Sequence, residues 1–271
     1  MRAVTTRVAL GAAMLAAVGG ATACSSDPVT EVQEPVSRLD LVVGNIVPLT
    51  GPDAGLGVSA QKSAQLAVEE VNDAIGEVDV EHTVEIVHQD ETARGARRAA
   101  KTLLESGSTC VLGPWSGKGI RETERALDAP RGGLVISPQV ESAYAGAPSR
   151  RPVIDVTGRG PQQTLSSESR NPDIEDPSAS FARLYASTDP PIGPARTTDA
   201  SQFDSVVVCY LAAVAARSSR GPAMAGTIVP ATPAPAFSWL RLADAIESLE
   251  RRERIVYAGI TARLGIEPAP P

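Results

Sequence analysis

The chain has 271 residues, a net charge of −7 and an aromatic content of only 3%. An acidic balance with no basic stripe argues against nucleic acid as a partner. So few rings leave little surface for stacking sugars or bases, and the core must be built from Ala, Val, Leu and Ile.

Residues 1–23 read as an export signal peptide. Arg2 and Arg7 give a positive start, Val8 to Val18 an apolar run too short to span a bilayer, and Ala21-Thr-Ala a small-residue cleavage site before Cys24. That Cys, followed by Ser25-Ser-Asp, resembles the lipobox of bacterial lipoproteins, in which the thiol is acylated and becomes the mature N-terminus. Ala21 stands where such sites usually carry Leu. The expectation is a lipid anchor on Cys24 at the outer face of the cell membrane, with residues 24–38 as a tether. Two acyl chains hold a protein durably, since each buried methylene contributes about 0.8 kcal/mol. The remaining chain suffices for one large domain or two small ones.

Leu39-Asp-Leu-Val-Val-Gly-Asn-Ile-Val47 has the β-branched, mostly apolar pattern of a central strand in a parallel sheet. Pro48 to Gly57 is dense in proline and glycine and reads as a loop able to lie against a ligand. From Val58 to Ile75 apolar residues recur every three or four positions, so a helix follows, with Gly76 as its terminator. A second strand, Thr83–His88, leads through Gln89-Asp-Glu91 to a helix at Ala93–Ser106, which carries Arg94, Arg97, Arg98 and Lys101 on its outer face and stops at Gly107. Thr109–Leu112 is a third strand, followed by Gly113-Pro-Trp-Ser-Gly117 and a weaker helix through Ile120, Thr123 and Leu127. Gly133–Ser137 is a fourth, followed by Pro138–Ser142. This alternation predicts an α/β fold: a parallel sheet with right-handed crossovers and helices on both faces. The four post-strand segments then share one sheet edge and outline one crevice.

From Ala145 to Ser201 the pattern collapses, with eight of the chain's 22 prolines. This window is read as a linker with one possible strand at Arg151–Val156 and a short helix at Phe181–Tyr185. Phe203 to Ala216 is an apolar helix broken by Gly221-Pro222, Ser238 to Arg251 a second helix, and Ile255–Gly259 a final strand before a frayed proline tail. Cys110 and Cys209 fall in a strand and a helix. Export permits a bridge between them, but two buried free thiols are the expectation, because sequence cannot bring their Cα atoms within bridging distance.

Val43-Gly-Asn-Ile-Val-Pro-Leu-Thr-Gly-Pro52, Ala64-Gln-Leu-Ala-Val-Glu-Glu-Val-Asn72, Val87-His-Gln-Asp90, Val111-Leu-Gly-Pro114 with Ser116, and Val135-Ile-Ser-Pro138 together resemble the type I periplasmic binding proteins. The branch that these residues most resemble is that of the branched-chain amino acid (leucine-binding-like) substrate-binding lipoproteins of ABC transporters. Phe203-Asp-Ser205 and Ile255-Val-Tyr-Ala-Gly259 extend the likeness more weakly. The resemblance implies a two-lobed clamp that binds a small ligand and partners an ABC permease. Lobe I would take residues 39–144, and 202–271 would supply C-terminal helices completing it. Residues 145–201 would be an irregular linker or the remnant of a largely missing lobe II. It also implies ligand contacts at Trp115, Ser116, Ser137, Glu141 and Ser142. Glu141 stands where the family usually has Thr, and a carboxylate there repels a ligand carboxylate.

Each candidate has a plain structural alternative. Ser116 and the amides around it either receive a ligand carboxylate at a helix N-terminus or simply cap that helix. Gly113–Lys118 is one residue too short for a phosphate loop, and Gly119 stands where Ser or Thr should hold magnesium. Asp90 and Glu91 read as a solvated loop and helix cap, because no motif sets a nucleophile or base beside them. His82 and His88 lack metal-ligand spacing, and Ser137 and Ser142 lack a nucleophile elbow. No catalytic residue, metal or cofactor is expected. Two functions stay open: a solute-binding lipoprotein for amino acids or similar small carboxylates, and a shortened, non-binding, membrane-tethered interaction module.

Overall fold

The computed structural model describes residues 38–127, 133–138, 153–155, 176–188 and 193–270. Cys24, Glu141 and Ser142 therefore lie outside the described residues, as do the signal peptide and nearly all of the tether. Strand β1 (Arg38–Val47) opens the fold and α1 (Ala54–Gly76) follows it. Next come β2 (Glu81–Asp90), the short helices α2 (Glu91–Arg94) and α3 (Ala96–Glu105), β3 (Cys110–Leu112), α4 (Gly117–Leu127), β4 (Leu134–Ser137) and β5 (Val153–Asp155). All five strands are parallel, in the order β2-β1-β3-β4-β5. The parallel α/β architecture is as the alternation predicts. Helices cover both faces: Leu41 and Val43 face a large core shared with α1, whereas Ile46 and Val111 pack on Ala99, Ala100 and Leu103 of α3 and Leu127 of α4.

Several boundaries differ from the sequence reading, each for a local reason. Helix α1 begins at Ala54 within the expected loop, because Gly57 lets the helix press against the Pro48 carbonyl, where a Cβ would collide. Gly76 is the last helical residue, and Glu77 caps the end through bonds to the Ala74 and Ile75 carbonyls. The expected helix 93–106 is two helices, since Gly95 takes φ +72 between them. Gly107, at φ +91, does stop α3, with its N–H on the Leu104 carbonyl and that of Ser108 on Leu103.

Within the 145–201 window the strand and the helix that the sequence suggests both form, the helix longer than expected. The window supplies the edge strand β5 and an eleven-residue helix, α5 (Pro177–Ser187), whose N-cap Asp176 accepts from Ser178 and Ala179. Phe181 and Tyr185 of α5 are buried in the main core. Helix α6 (Thr197–Ala216) starts six residues before Phe203 and is buried all round, which explains its lack of a polar face. It packs along α1, and Asp199 ties the two helices and α5 together: Ser59 Oγ donates to Asp199 Oδ1 at 2.7 Å and lies 2.6 Å from the Tyr185 hydroxyl.

Cys110 and Cys209 form a disulfide with Cα atoms 6.2 Å apart, correcting the free-thiol expectation. The bridge is possible because α6 crosses β3 on the α1 face of the sheet. Beyond α6, the segment 202–271 is not only helical. After α7 (Gly221–Thr227), which Pro222 starts instead of breaking, β6 (Ile228–Val229), β7 (Ala236–Phe237), β8 (Ile255–Ala258) and β9 (Arg263–Ile266) form a second sheet in the order β6-β9-β8-β7. Helix α8 (Leu242–Glu250) lies between β7 and β8, after a single 3-10 turn at Trp239–Arg241. Asp204 of α6, fully buried, fastens the β8–β9 turn by accepting from the Tyr257 hydroxyl, the Ile260, Thr261 and Ala262 amides and the Thr261 hydroxyl.

Candidate functional site

In the order β2-β1-β3-β4-β5 the chain leaves β1 in one direction for β2 and in the other for β3, so the crossovers part between β1 and β3. At such a switch point the loops diverge, and ligands of open parallel sheets bind in the crevice beyond the strand ends. Here the crevice lies between the loop after β1, residues 48–53, and the loop after β3, residues 113–116. Its sides are fixed. Asp90, at the end of β2, accepts from the Leu49 amide at 3.1 Å, the Thr50 hydroxyl at 2.7 Å and, as N-cap of α2, the Thr92 amide at 2.9 Å. Gly113 takes φ +77 and passes so close to the Ile46 carbonyl that any side chain would collide with it. Its amide donates to the Ile136 carbonyl at 2.9 Å, which holds the third loop to β4.

The predicted contact residues fall into two groups. Trp115 and Ser116 sit together, half-buried, at the N-terminus of α4. Ser116 caps that helix: its Oγ accepts from the Gly119 amide at 3.0 Å and its carbonyl from the Ile120 amide. Ser137 lies at the same sheet edge, beside Gly113, but is fully buried. The indole Nε1 of Trp115 is buried and has no hydrogen-bond partner among the described residues. Such a donor costs about 1–3 kcal/mol until an acceptor reaches it.

Glu91 is not the solvated cap that the sequence suggests. Its carboxylate reaches over the end of β1 to the N-terminus of α4, where Oε2 accepts from the Trp115 amide at 3.2 Å and Oε1 from the Ser116 hydroxyl at 2.9 Å. Burial raises its pKa above the usual glutamate value, against the lowering effect of these donors, and the neighbouring Glu122 raises it further. Asp90 does act as the expected cap. Beneath the crevice, on the α6 side, lies a polar cluster. Fully buried Asn45 donates through Nδ2 to His88 Nδ1 at 3.1 Å and accepts at Oδ1 from Gln202 Nε2 at 3.0 Å. Desolvation pushes the His88 pKa down to about 4, so the ring is neutral at physiological pH. Sequence reasoning passed over Asn45 and Gln202, although an Asn inside Leu-Val-Val-Gly-Asn-Ile-Val is the signal that marks the cluster. His82 is structural too, with Nδ1 2.9 Å from the Tyr210 hydroxyl. A separate hollow of about 530 Å³, lined by Gly95, Arg97, Arg98, Lys101 and Glu122, opens between α3 and α4. Its cations belong to the exposed outer face of α3.

A parallel α/β lobe with the order 2-1-3-4-5 and a crevice at its switch point matches the fold of the type I periplasmic binding proteins. The family model described as periplasmic binding protein matches residues 40–167. Among curated relatives, the Leu/Ile/Val-binding protein BraC3 of Rhizobium johnstonii is 27% identical over 129 residues, 48% of this chain and 35% of that protein. The alignment thus spans about a third of the relative's length. Among solved structures, the branched-chain amino acid transporter substrate-binding protein LivJ of Streptococcus pneumoniae, crystallised with isoleucine, superposes at a TM-score of 0.53 with 14% identity, covering 83% of this chain and 91% of that one. The leucine-binding protein LivK of Thermotoga maritima gives 0.51 at 11% identity, covering 69% and 86%.

Proposed function

We propose that this chain is the solute-binding lipoprotein of an ABC importer, taking amino acids or similar small carboxylates. It is exported, cleaved after Ala23, acylated on Cys24, and tethered by residues 24–38 at the outer face of the cell membrane, where it meets its permease. The observation that carries the reading is the coincidence of the family match at residues 40–167 with the switch-point crevice between the loops after β1 and β3. BraC3 and LivJ, named for branched-chain amino acids, support the ligand class. Glu141 and Ser142 complete the proposed contact set with Trp115, Ser116 and Ser137.

A second reading is favoured by a specific observation: the carboxylate of Glu91 already sits on the Trp115 amide and the Ser116 hydroxyl. A shortened relative whose crevice is filled from within would serve as a membrane-tethered interaction module. A thermal-shift screen of the soluble domain against the twenty amino acids and small mono- and dicarboxylates separates the two. A saturable rise in melting temperature with any of them supports solute binding, and a flat response across the panel supports the module. Intact mass tests the anchor: a mature protein without the diacylglyceryl addition on Cys24 contradicts it.

A further inference from the structure

We propose that Glu91 is this chain's own occupant of the carboxylate seat at the switch point, and that a ligand carboxylate enters that seat only by displacing it. The proposal rests on the solute-binding reading for its consequence, but not for its geometry. Glu91 opens α2 directly after β2, on one side of β1, and the seat it fills belongs to the loop after β3, on the other side. Its side chain therefore bridges the crevice between the diverging loops. Both carboxylate oxygens are used there, one on a backbone amide and one on a hydroxyl. The N-terminus of α4, an eleven-residue helix, favours negative charge at that point.

The surroundings are shaped to this occupant. A Cβ at Gly119 would lie 2.7 Å from Glu91 Oε1 and 2.8 Å from Ser116 Oγ, so any residue but glycine would push the carboxylate out. Ser116 is fixed in turn, donating to Glu91 and accepting from the Gly119 amide, so it has no donor left for a second carboxylate. A free carboxylate approaching the seat meets a like charge at contact distance and a donor set already in use. Glu91 thereby becomes the specificity-determining residue of the crevice: it turns acids away from this end.

The test is chemical rescue. Glu91→Ala empties the seat, and acetate is the probe that refills it, with acetamide as the uncharged control and chloride as the ionic-strength control. The expected result is that acetate raises the melting temperature of E91A saturably, leaves the unmodified protein unchanged, and is not matched by acetamide or chloride. Equal acetate effects on both proteins, or none on either, would overturn the proposal. Should E91A not fold, Glu91→Gln reads the same contact through hydrogen exchange. Protection of the Trp115 amide should then fall by about ten-fold, the loss of one charge-assisted bond. The Ile120 amide, held by the Ser116 carbonyl, should be unaffected, and unchanged protection at Trp115 would overturn the assignment. Isoleucine titration of both proteins separates this proposal from the wider reading. Tighter binding by E91A supports both. Acetate rescue with no isoleucine binding by either protein supports the seat and sinks the solute-binding function.

Discussion

Breaking the Cys110–Cys209 bridge is the perturbation whose size follows most directly from the structure. The two residues are separated by 99 positions, and the bridge joins the buried strand β3 to the middle of α6. In the chain-entropy account, a closed loop of this length removes about 16 cal/mol/K from the unfolded ensemble, or about 4.7 kcal/mol at 25 °C. Both sulfurs lie in the core, where the surrounding Val and Leu side chains keep packing against the thiols after reduction, so little of the native contact is lost. The Cys110→Ala/Cys209→Ala variant adds two small cavities and should lose somewhat more. Urea unfolding of the oxidised and reduced protein, with thiol titration of the denatured samples, measures the difference. A loss of about 3–5 kcal/mol is expected on reduction, a large share of the total stability of a domain. Two titratable thiols in the untreated soluble domain, or a loss below about 1 kcal/mol, would refute the reasoning.

Asp204→Ala should cost at least about 3 kcal/mol in urea unfolding, because it orphans buried donors from Tyr257 and the 260–262 turn; a loss under about 1 kcal/mol would contradict its role in fastening the second sheet. Gly57→Ala should destabilise by about 1–3 kcal/mol through collision with the Pro48 carbonyl, while Gly55→Ala, with open space around it in the same helix, should be neutral or stabilising by up to about 1 kcal/mol, and equal effects would refute the close-approach account. For His88 the folded pKa is depressed to about 4 from 6.5, so stability is full above pH 6.5 and falls as the unfolded chain takes up a proton that the folded chain refuses. Between pH 7.5 and 5 this should remove about 1–2 kcal/mol that His88→Gln does not lose, and parallel pH profiles for the two proteins would count against it.

The sheet was legible in the sequence because its strands are short runs of buried β-branched residues, and such runs have few other uses. Leu39–Val47 falls within one residue of β1, and the third and fourth strands are nearly as close. What was hidden depended on contacts between distant parts. Gly57 looks like a breaker until the Pro48 carbonyl is placed against it. The two-residue strands β6 and β7 carry no periodicity. Of the site, Trp115 and Ser116 were found from the Gly-Pro-Trp-Ser loop. Glu91 was misread because its partners stand 24 and 25 residues downstream, across another strand. The disulfide was misread for the same reason, on a longer span.

Calorimetric titration of the soluble domain with isoleucine, leucine, valine and their amides tests the central claim most directly. The described residues furnish one α/β lobe around the crevice, so a bound solute stays partly in water, whereas closed sites bury 70–90% of one. The account predicts saturable binding with a dissociation constant no tighter than about 100 μM, near −5.5 kcal/mol, and amides bound at least as well as the acids. Dissociation constants of about 1 μM or tighter for a free amino acid would contradict both the one-lobed crevice and the occupancy of its carboxylate seat by Glu91, and no saturable binding by any of the six would contradict the solute-binding function itself.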